Sequence, residues 1–180
     1  MTLAATIIIP VAPYHEALVE RAVTSAQLQT VPCTIIQAYD RNGRGPSYTR
    51  NRALEQVETD FVVFLDADDW LDPAFVERCL SVWQAGSYVF TDWVEDGEIH
   101  SAPARPWCDD QQWHVITTLL PTQAVRDVGG FDDLPGAEDT ELYWALTRAQ
   151  RCCGAADPYE QVDLFESKIV RRFMHTAGTG

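Results

Sequence analysis

Phe61-Val62-Val63-Phe64-Leu65-Asp66-Ala67-Asp68-Asp69-Trp70-Leu71 is the stretch whose reading decides the fold. Five apolar residues run into three carboxylates, and Asp72-Pro73 opens a helix directly afterwards. An unbroken apolar run of this length suits a strand buried on both faces, as in a sheet covered by helices. Side chains alternate along extended backbone, so Asp66 and Asp68 are expected on one side and Ala67 on the other. Two carboxylates converging at the carboxyl end of a buried strand repel each other and lose hydration. A hard divalent cation, Mn²⁺ or Mg²⁺, relieves both, because oxygen ligands suit it. The plainer reading is that these aspartates solvate a turn and cap the following helix.

Outward from this stretch the chain alternates strand and helix patterns. On the N-terminal side, β-branched residues predict a strand over 6–9 ended by Pro10, then a helix over 14–29 from apolar residues at helical spacing. A strand over 33–39 ends at Asp40, and a turn-rich loop follows with Gly43, Gly45 and Pro46. Ser47 is placed to cap a helix carrying Arg50, Asn51 and Leu54. On the C-terminal side, a helix over 73–83 and a strand over 87–93 are expected, with a hairpin turn at 95–98. Residues 100–110 read as irregular, 111–120 as a helix stopped by Pro121, and 122–128 as a short helix. Gly129-Gly130-Phe131-Asp132 reads as a loop, 137–149 as a helix and 169–174 as a last strand. The alternation argues an α/β fold with a mixed, mostly parallel sheet flanked by helices, and ligands at the strands' carboxyl ends.

Composition bounds the function. With 180 residues and 46% apolar content the chain is a single globular domain able to bury a proper core. The net charge of −14 disfavours nucleic acid and anionic membrane as partners, since phosphates are repelled. No apolar run reaches transmembrane length, and the start lacks the features of a signal peptide, so a soluble, cytoplasmic protein is expected. Five cysteines without zinc-like spacing are expected as free thiols.

Three polar clusters fall at strand ends or helix starts: Pro10, Ala12 and Asp40; Arg50-Asn51 with Asp66, Asp68 and Asp69; and Glu138-Asp139 behind Gly129-Gly130. In this order, I-I-I-P-V, G-x-S-x-x-R-N-x-A-L, F-L-D-A-D-D-W-L-D-P, G-G-F-D and E-D-x-x-L strongly resemble the GT-A-fold glycosyltransferases of family 2, from Thr6 to about Arg148. The resemblance implies a metal-dependent, inverting transferase that moves a sugar from a nucleotide diphosphate, most often UDP, to an acceptor hydroxyl. Asp139 would be the general base with Glu138 beside it. Asp68 would bind the cation, Asp66 would contact the ribose and the metal site, and Ala67 would lie between them in the donor site. Arg50 would sit near the diphosphate, and Pro10, Ala12 and Asp40 near the nucleobase. His175 resembles a late histidine that some relatives use as a metal ligand. Residues 1–93 would form the nucleotide-sugar half and 94–180 the acceptor half.

Other readings stand beside these. Glu138-Asp139 also suits first-turn acids favoured by a helix dipole, and His175 also suits a solvated tail. The usual family pattern has two aspartates after the second strand, with a further helix and strand before the R-N segment. Here Asp40 is followed by Arg41, so either a βα unit is deleted or 33–39 is the later strand. A sugar-1-phosphate nucleotidyltransferase wants a glycine-rich basic loop after the first strand, and residues 10–16 have neither glycine nor Lys/Arg. A non-catalytic nucleotide-sugar-binding module is the remaining alternative. The acceptor is open among protein, glycan, small molecule and modified base.

Overall fold

The computed structural model describes residues 3–85, 87–91, 93–95, 98–100, 118–133, 138–148 and 174–176. The expected irregular stretch over 100–110, the residues 111–117 and 169–173 of other expected elements, and Cys108, Cys152 and Cys153 lie wholly or almost wholly outside them.

Strand β1 (Ala5–Val11) is buried along its whole length, with Ile7, Ile8 and Ile9 fully enclosed. Each such side chain contributes about 1.5–3 kcal/mol by leaving water, which favours an interior place in the sheet for β1 over an edge. It pairs in parallel with β2 (Cys33–Tyr39) on one side and β3 (Phe61–Phe64) on the other. Beyond β3 come β8 (Thr118–Pro121), antiparallel to it, and then β5 (Val89–Phe90), giving the order β2-β1-β3-β8-β5. The mixed, mostly parallel α/β sheet is therefore as expected. The chain leaves β1 through α1 (Val19–Gln27) to β2, then returns past β1 through α2 (Pro46–Leu54) to β3. Right-handed crossovers in opposite directions place α1 and α2 on opposite faces. They also make the carboxyl ends of β1 and β3 a topological switch point, where such sheets bind ligands.

A second sheet orders β4 (Trp70–Leu71), β9 (Met174–Thr176), β6 (Trp93–Glu95) and β7 (Glu98–His100). The expected 95–98 turn is met by β6 pairing with β7, Glu95 opposite Glu98. Helices α3 (Phe75–Val82), α4 (Thr122–Asp127) and α5 (Glu138–Arg148) complete the description. Among the described residues no helix is long and apolar enough to cross a membrane.

Several local expectations are corrected. Pro10 does not end β1; it lies inside it, opposite Ala38. The Ile8 carbonyl accepts from the Leu65 amide, whereas Val11 accepts from Asp40 on the β2 side. By that alternation the Pro10 nitrogen faces the β3 side, where the ladder has just finished, and no donor is missed. The helix over 14–29 shrinks to α1, because Pro13–His15 forms a 3₁₀ turn first. Ser47 does not cap α2: Gly45, at φ 90°, is the N-cap and Pro46 occupies the first turn. Thr118-Leu119-Leu120 is not helical; it is the fully or nearly fully buried strand between β3 and β5. The expected strand over 87–93 divides, β5 joining the main sheet and β6 the second.

Asn51, midway along α2, ties this frame to the segment ahead of α5. Its Nδ2 donates to the Phe131 carbonyl at 2.7 Å and its Oδ1 accepts the Phe131 N–H at 2.9 Å. The approach requires glycine at 130, which sits at φ 77° and whose added Cβ would run into Asn51 Oδ1. Gly130→Ala is expected to destabilise the fold by about 1–3 kcal/mol. Gly43→Ala, also at positive φ but with open space around it, costs less. Equal midpoints for the two variants in chemical denaturation would remove this account of Asn51.

Candidate functional site

A cleft of about 440 Å³ opens at the switch point. The end of β1 and the 3₁₀ turn form one wall through Pro10, Ala12, Tyr14 and His15. The loop after β2, with Asp40, Gly43 and Gly45, forms another, and Arg50, Asp66, Ala67, Asp68 and Glu138 close it. The candidate residues Pro10, Ala12, Asp40, Arg50, Asp66, Ala67, Asp68 and Glu138 are thus brought together.

The aspartates owe their placement to a turn. β3 ends at Phe64, and the Asp69 N–H returns to the Asp66 carbonyl at 3.1 Å. Asp66, Ala67 and Asp68 all line the cleft, Ala67 buried, so this turn replaces the alternation expected of an extended strand. Asp69 is buried. No side chain caps α3, whose N-cap is Ala74; Asp72 Oδ1 accepts the Ala74 N–H at 2.9 Å in the turn just ahead.

Arg50 is the centre of the site's electrostatics. It is 4% exposed, so its charge needs partners. One terminal nitrogen donates to Asp66 Oδ1 at 2.8 Å and the other to Glu138 Oε1 at 2.7 Å. Burial alone would make the guanidinium easier to deprotonate, but the two carboxylates outweigh it and hold the charge more firmly than usual. Its Nε has no partner among the described residues, and the Phe131 ring lies 5.2 Å from the guanidinium carbon.

Asp40 is also buried, with both oxygens engaged: Oδ1 accepts the Arg44 N–H at 2.9 Å and Oδ2 the Gly45 N–H at 2.8 Å. Burial alone would raise its pKa. The amides of Arg44, Gly45, Asn42 and Gly43 outweigh burial and hold the carboxyl below the ordinary 3.8. Asp40 thus shapes the loop that borders the cleft.

Asp68 lines the cleft and is taken neither by Arg50 nor, as Asp40 is, by the loop amides. Its Oδ2 lies 3.8 Å from His15 Nε2, both side chains about a quarter exposed. Sequence reasoning passed over His15, although a polar ring just after a central strand is the signal that would have found it. Asp139 follows Glu138 in the first turn of α5 and accepts the Thr140 N–H at 2.8 Å. It is not among the cleft-lining residues, unlike Glu138. The backbone of His175 pairs with Trp70, just beyond Asp69. Among the described residues no three His, Cys, Asp or Glu side chains form a metal cluster by themselves. The chemistry still fits Mg²⁺ or Mn²⁺ held on one carboxylate, which commonly complete their shell with phosphate oxygens and water.

Cys33 and Cys79 are free thiols. Burial raises Cys33 to about 11 and Cys79 further, so neither supplies a thiolate nucleophile.

Comparison with known proteins follows this geometry. Residues 26–107 match the model of Glycosyl transferase family 2. Over 154 residues the chain is 30% identical to the pre-mycofactocin glycosyltransferase of Mycobacterium tuberculosis, covering 73% of this chain and 32% of that protein. The chain thus spans about a third of that relative's length. The structure of S. aureus TarS 1-349 in complex with UDP-GlcNAc superposes with a TM-score of 0.72 at 13% identity, over 99% of this chain and 59% of that one. The mannosyltransferase PcManGT from Pyrobaculum calidifontis, in complex with GDP-Man and Mn²⁺, gives 0.63 at 14% identity, over 91% and 58%. At these identities the structural likeness shows a shared fold, the GT-A arrangement.

The depressed Asp40 carboxyl has a signed consequence. A folded value below 3.8 means that the stabilisation is complete above about pH 4 and lost as pH falls through the folded value. The melting-temperature gap between wild type and Asp40→Asn is expected to be widest near neutrality and to close on acidification below about pH 4. A gap that does not change with pH would show that the charge of Asp40 is immaterial to the loop.

Proposed function

We propose that this chain, a family 2-type glycosyltransferase in motif and fold, moves a sugar from a nucleotide diphosphate to an acceptor hydroxyl. One observation carries the reading: the acidic side chains at the switch point are divided, Asp66 and Glu138 going to Arg50 while Asp68 faces the open cleft beside His15. A diphosphate entering this lining is repelled unless a cation joins it, and Asp68 is the carboxylate available to hold one.

Mn²⁺ or Mg²⁺ on Asp68 would neutralise the charge that develops on the departing diphosphate. Asp66 is assigned to the ribose end of the donor, with Ala67 buried beneath and Arg50 behind. Pro10 and Ala12 form the wall for the nucleobase. Asp40 acts there through the loop it holds, since both its oxygens accept amide hydrogens. Asp139 is assigned as the general base that takes the acceptor proton as the hydroxyl attacks the anomeric carbon from the opposite face, which inverts it. No covalent nucleophile enters, in keeping with two inert thiols. His175, whose backbone pairs with Trp70, is assigned as a further ligand by the family resemblance. Residues 1–93 form the donor half and 94–180 the acceptor half. The nucleotide is taken as UDP, the nucleotide of the sugar donor bound by TarS, although PcManGT holds a guanosine donor. Free Cys33 and Cys79 accord with a cytoplasmic setting.

The test is thermal stabilisation by UDP- and GDP-sugars with and without Mn²⁺. A cation-dependent shift with at least one donor is expected, and none with any donor refutes the transferase reading. Asp68→Asn should abolish that shift; if it persists, the cation lies elsewhere. Asp139→Asn should retain the shift and lose about 10²–10⁴-fold in turnover. Full activity in that variant removes its role as base, whereas donor binding without turnover in the wild type identifies a binding module.

A further inference from the structure

We infer that Arg50 and Glu138 are a positioning pair, fixing the first turn of α5 against the end of β3 and so setting where Asp139 meets the acceptor. The inference rests on the sugar-transfer reading above and adds residues that need not touch either substrate.

Both terminal nitrogens of Arg50 donate to carboxylates, one from the end of β3 and one from the start of α5. Its side chain is 5% exposed and that of Glu138 is 14% exposed, so the pairing is made away from bulk water. The remaining N–H groups of Arg50 lie in a side chain that presents almost no surface to a phosphate entering the cleft. Arg50 is therefore a strut between two carboxylates rather than a direct diphosphate ligand. A planar guanidinium spans two acceptors in fixed directions; a lysine ammonium in its place keeps the charge without that fork.

Consecutive helix residues are about 100° apart. Holding Glu138 from one side therefore fixes the rotation of α5, and with it the direction of Asp139. The neighbouring residue of α2 reinforces this. Asn51 clamps the backbone of Phe131 at both amide groups, and the Phe131 ring packs edge-on to Phe64 of β3 at 4.8 Å. Arg50 and Asn51 thus grip the segment before α5 and the start of α5 itself. Glu138 Oε1, engaged by Arg50, serves as the handle and leaves proton transfer to its neighbour.

Arg50→Lys and Glu138→Gln in the full chain test this, with UDP plus Mn²⁺ as the binding probe and hydrolysis of a UDP-sugar as the turnover probe. Expected is a dissociation constant for UDP–Mn²⁺ within about twofold of wild type and a kcat lower by about a hundredfold, as for a base displaced by roughly 1 Å. A tenfold or larger loss of UDP affinity in Arg50→Lys would make Arg50 a diphosphate ligand and overturn the inference, as would unchanged kcat in both variants. Melting temperatures of the singles and the double variant form an independent arm. The two single losses together should exceed that of the double by about 2–4 °C, and additive losses would refute the pair. If the wild type binds no nucleotide with Mn²⁺, the sugar-transfer reading falls, while this thermal cycle still decides whether the pair exists.

Discussion

A guanidinium almost wholly removed from water must be matched by negative charge nearby, and that requirement organises this molecule. Taking such an ion from water costs several kcal/mol even after relaxation, and one carboxylate rarely offsets it. Arg50 has two, drawn from 16 positions ahead and 88 positions ahead in the chain. The end of β3 and the start of α5 are consequently brought to one point by electrostatics, with close packing around it from Phe131 and Phe64. The same pairing sorts the acids of the cleft. Those bound to Arg50 tie the end of β3 to the start of α5, while Asp68 faces the cleft beside His15.

Much of the fold was legible because burial leaves a local trace. Ile7-Ile8-Ile9 and Phe61-Val62-Val63-Phe64 are apolar without alternation, which only a doubly covered strand tolerates, and both are central strands. Thr118-Leu119-Leu120 was not legible, since the run is as compatible with a buried helix as with a strand. What decides it is the space between β3 and β5, which no local window contains. The caps failed for a similar reason: Ser47 is a good capping residue, but Gly45-Pro46 sets the backbone one step earlier.

The site was legible as a set of residues and less so as a set of partnerships. Asp40, Arg50, Asp66, Asp68 and Glu138 all reach the cleft. Their hydrogen bonds could not be read from spacing, because Arg50 and Glu138 meet through tertiary structure. Asn51 shows the limit most clearly. Its residue type announces hydrogen bonding, yet its partner is the backbone of Phe131, 80 positions away. The matching signal was Gly130, which the sequence offers only as a turn.

Asp40 settles how so short a strand-and-loop unit can serve a ligand site. β2 lies directly beside β1, with no strand outside it among the described residues. An outer unit would ordinarily buttress the loop at the end of β2. Here the loop is held from within, by a carboxylate whose oxygens accept amides of the loop itself, an anion nest in reverse. The amide dipoles offset part of the charge of Asp40, so it repels a diphosphate less than a free carboxylate would. Arg50 does the same for Asp66 and Glu138. In a chain of net charge −14 an anionic ligand meets least repulsion where acids are already engaged, and in this cleft Asp40, Asp66 and Glu138 are.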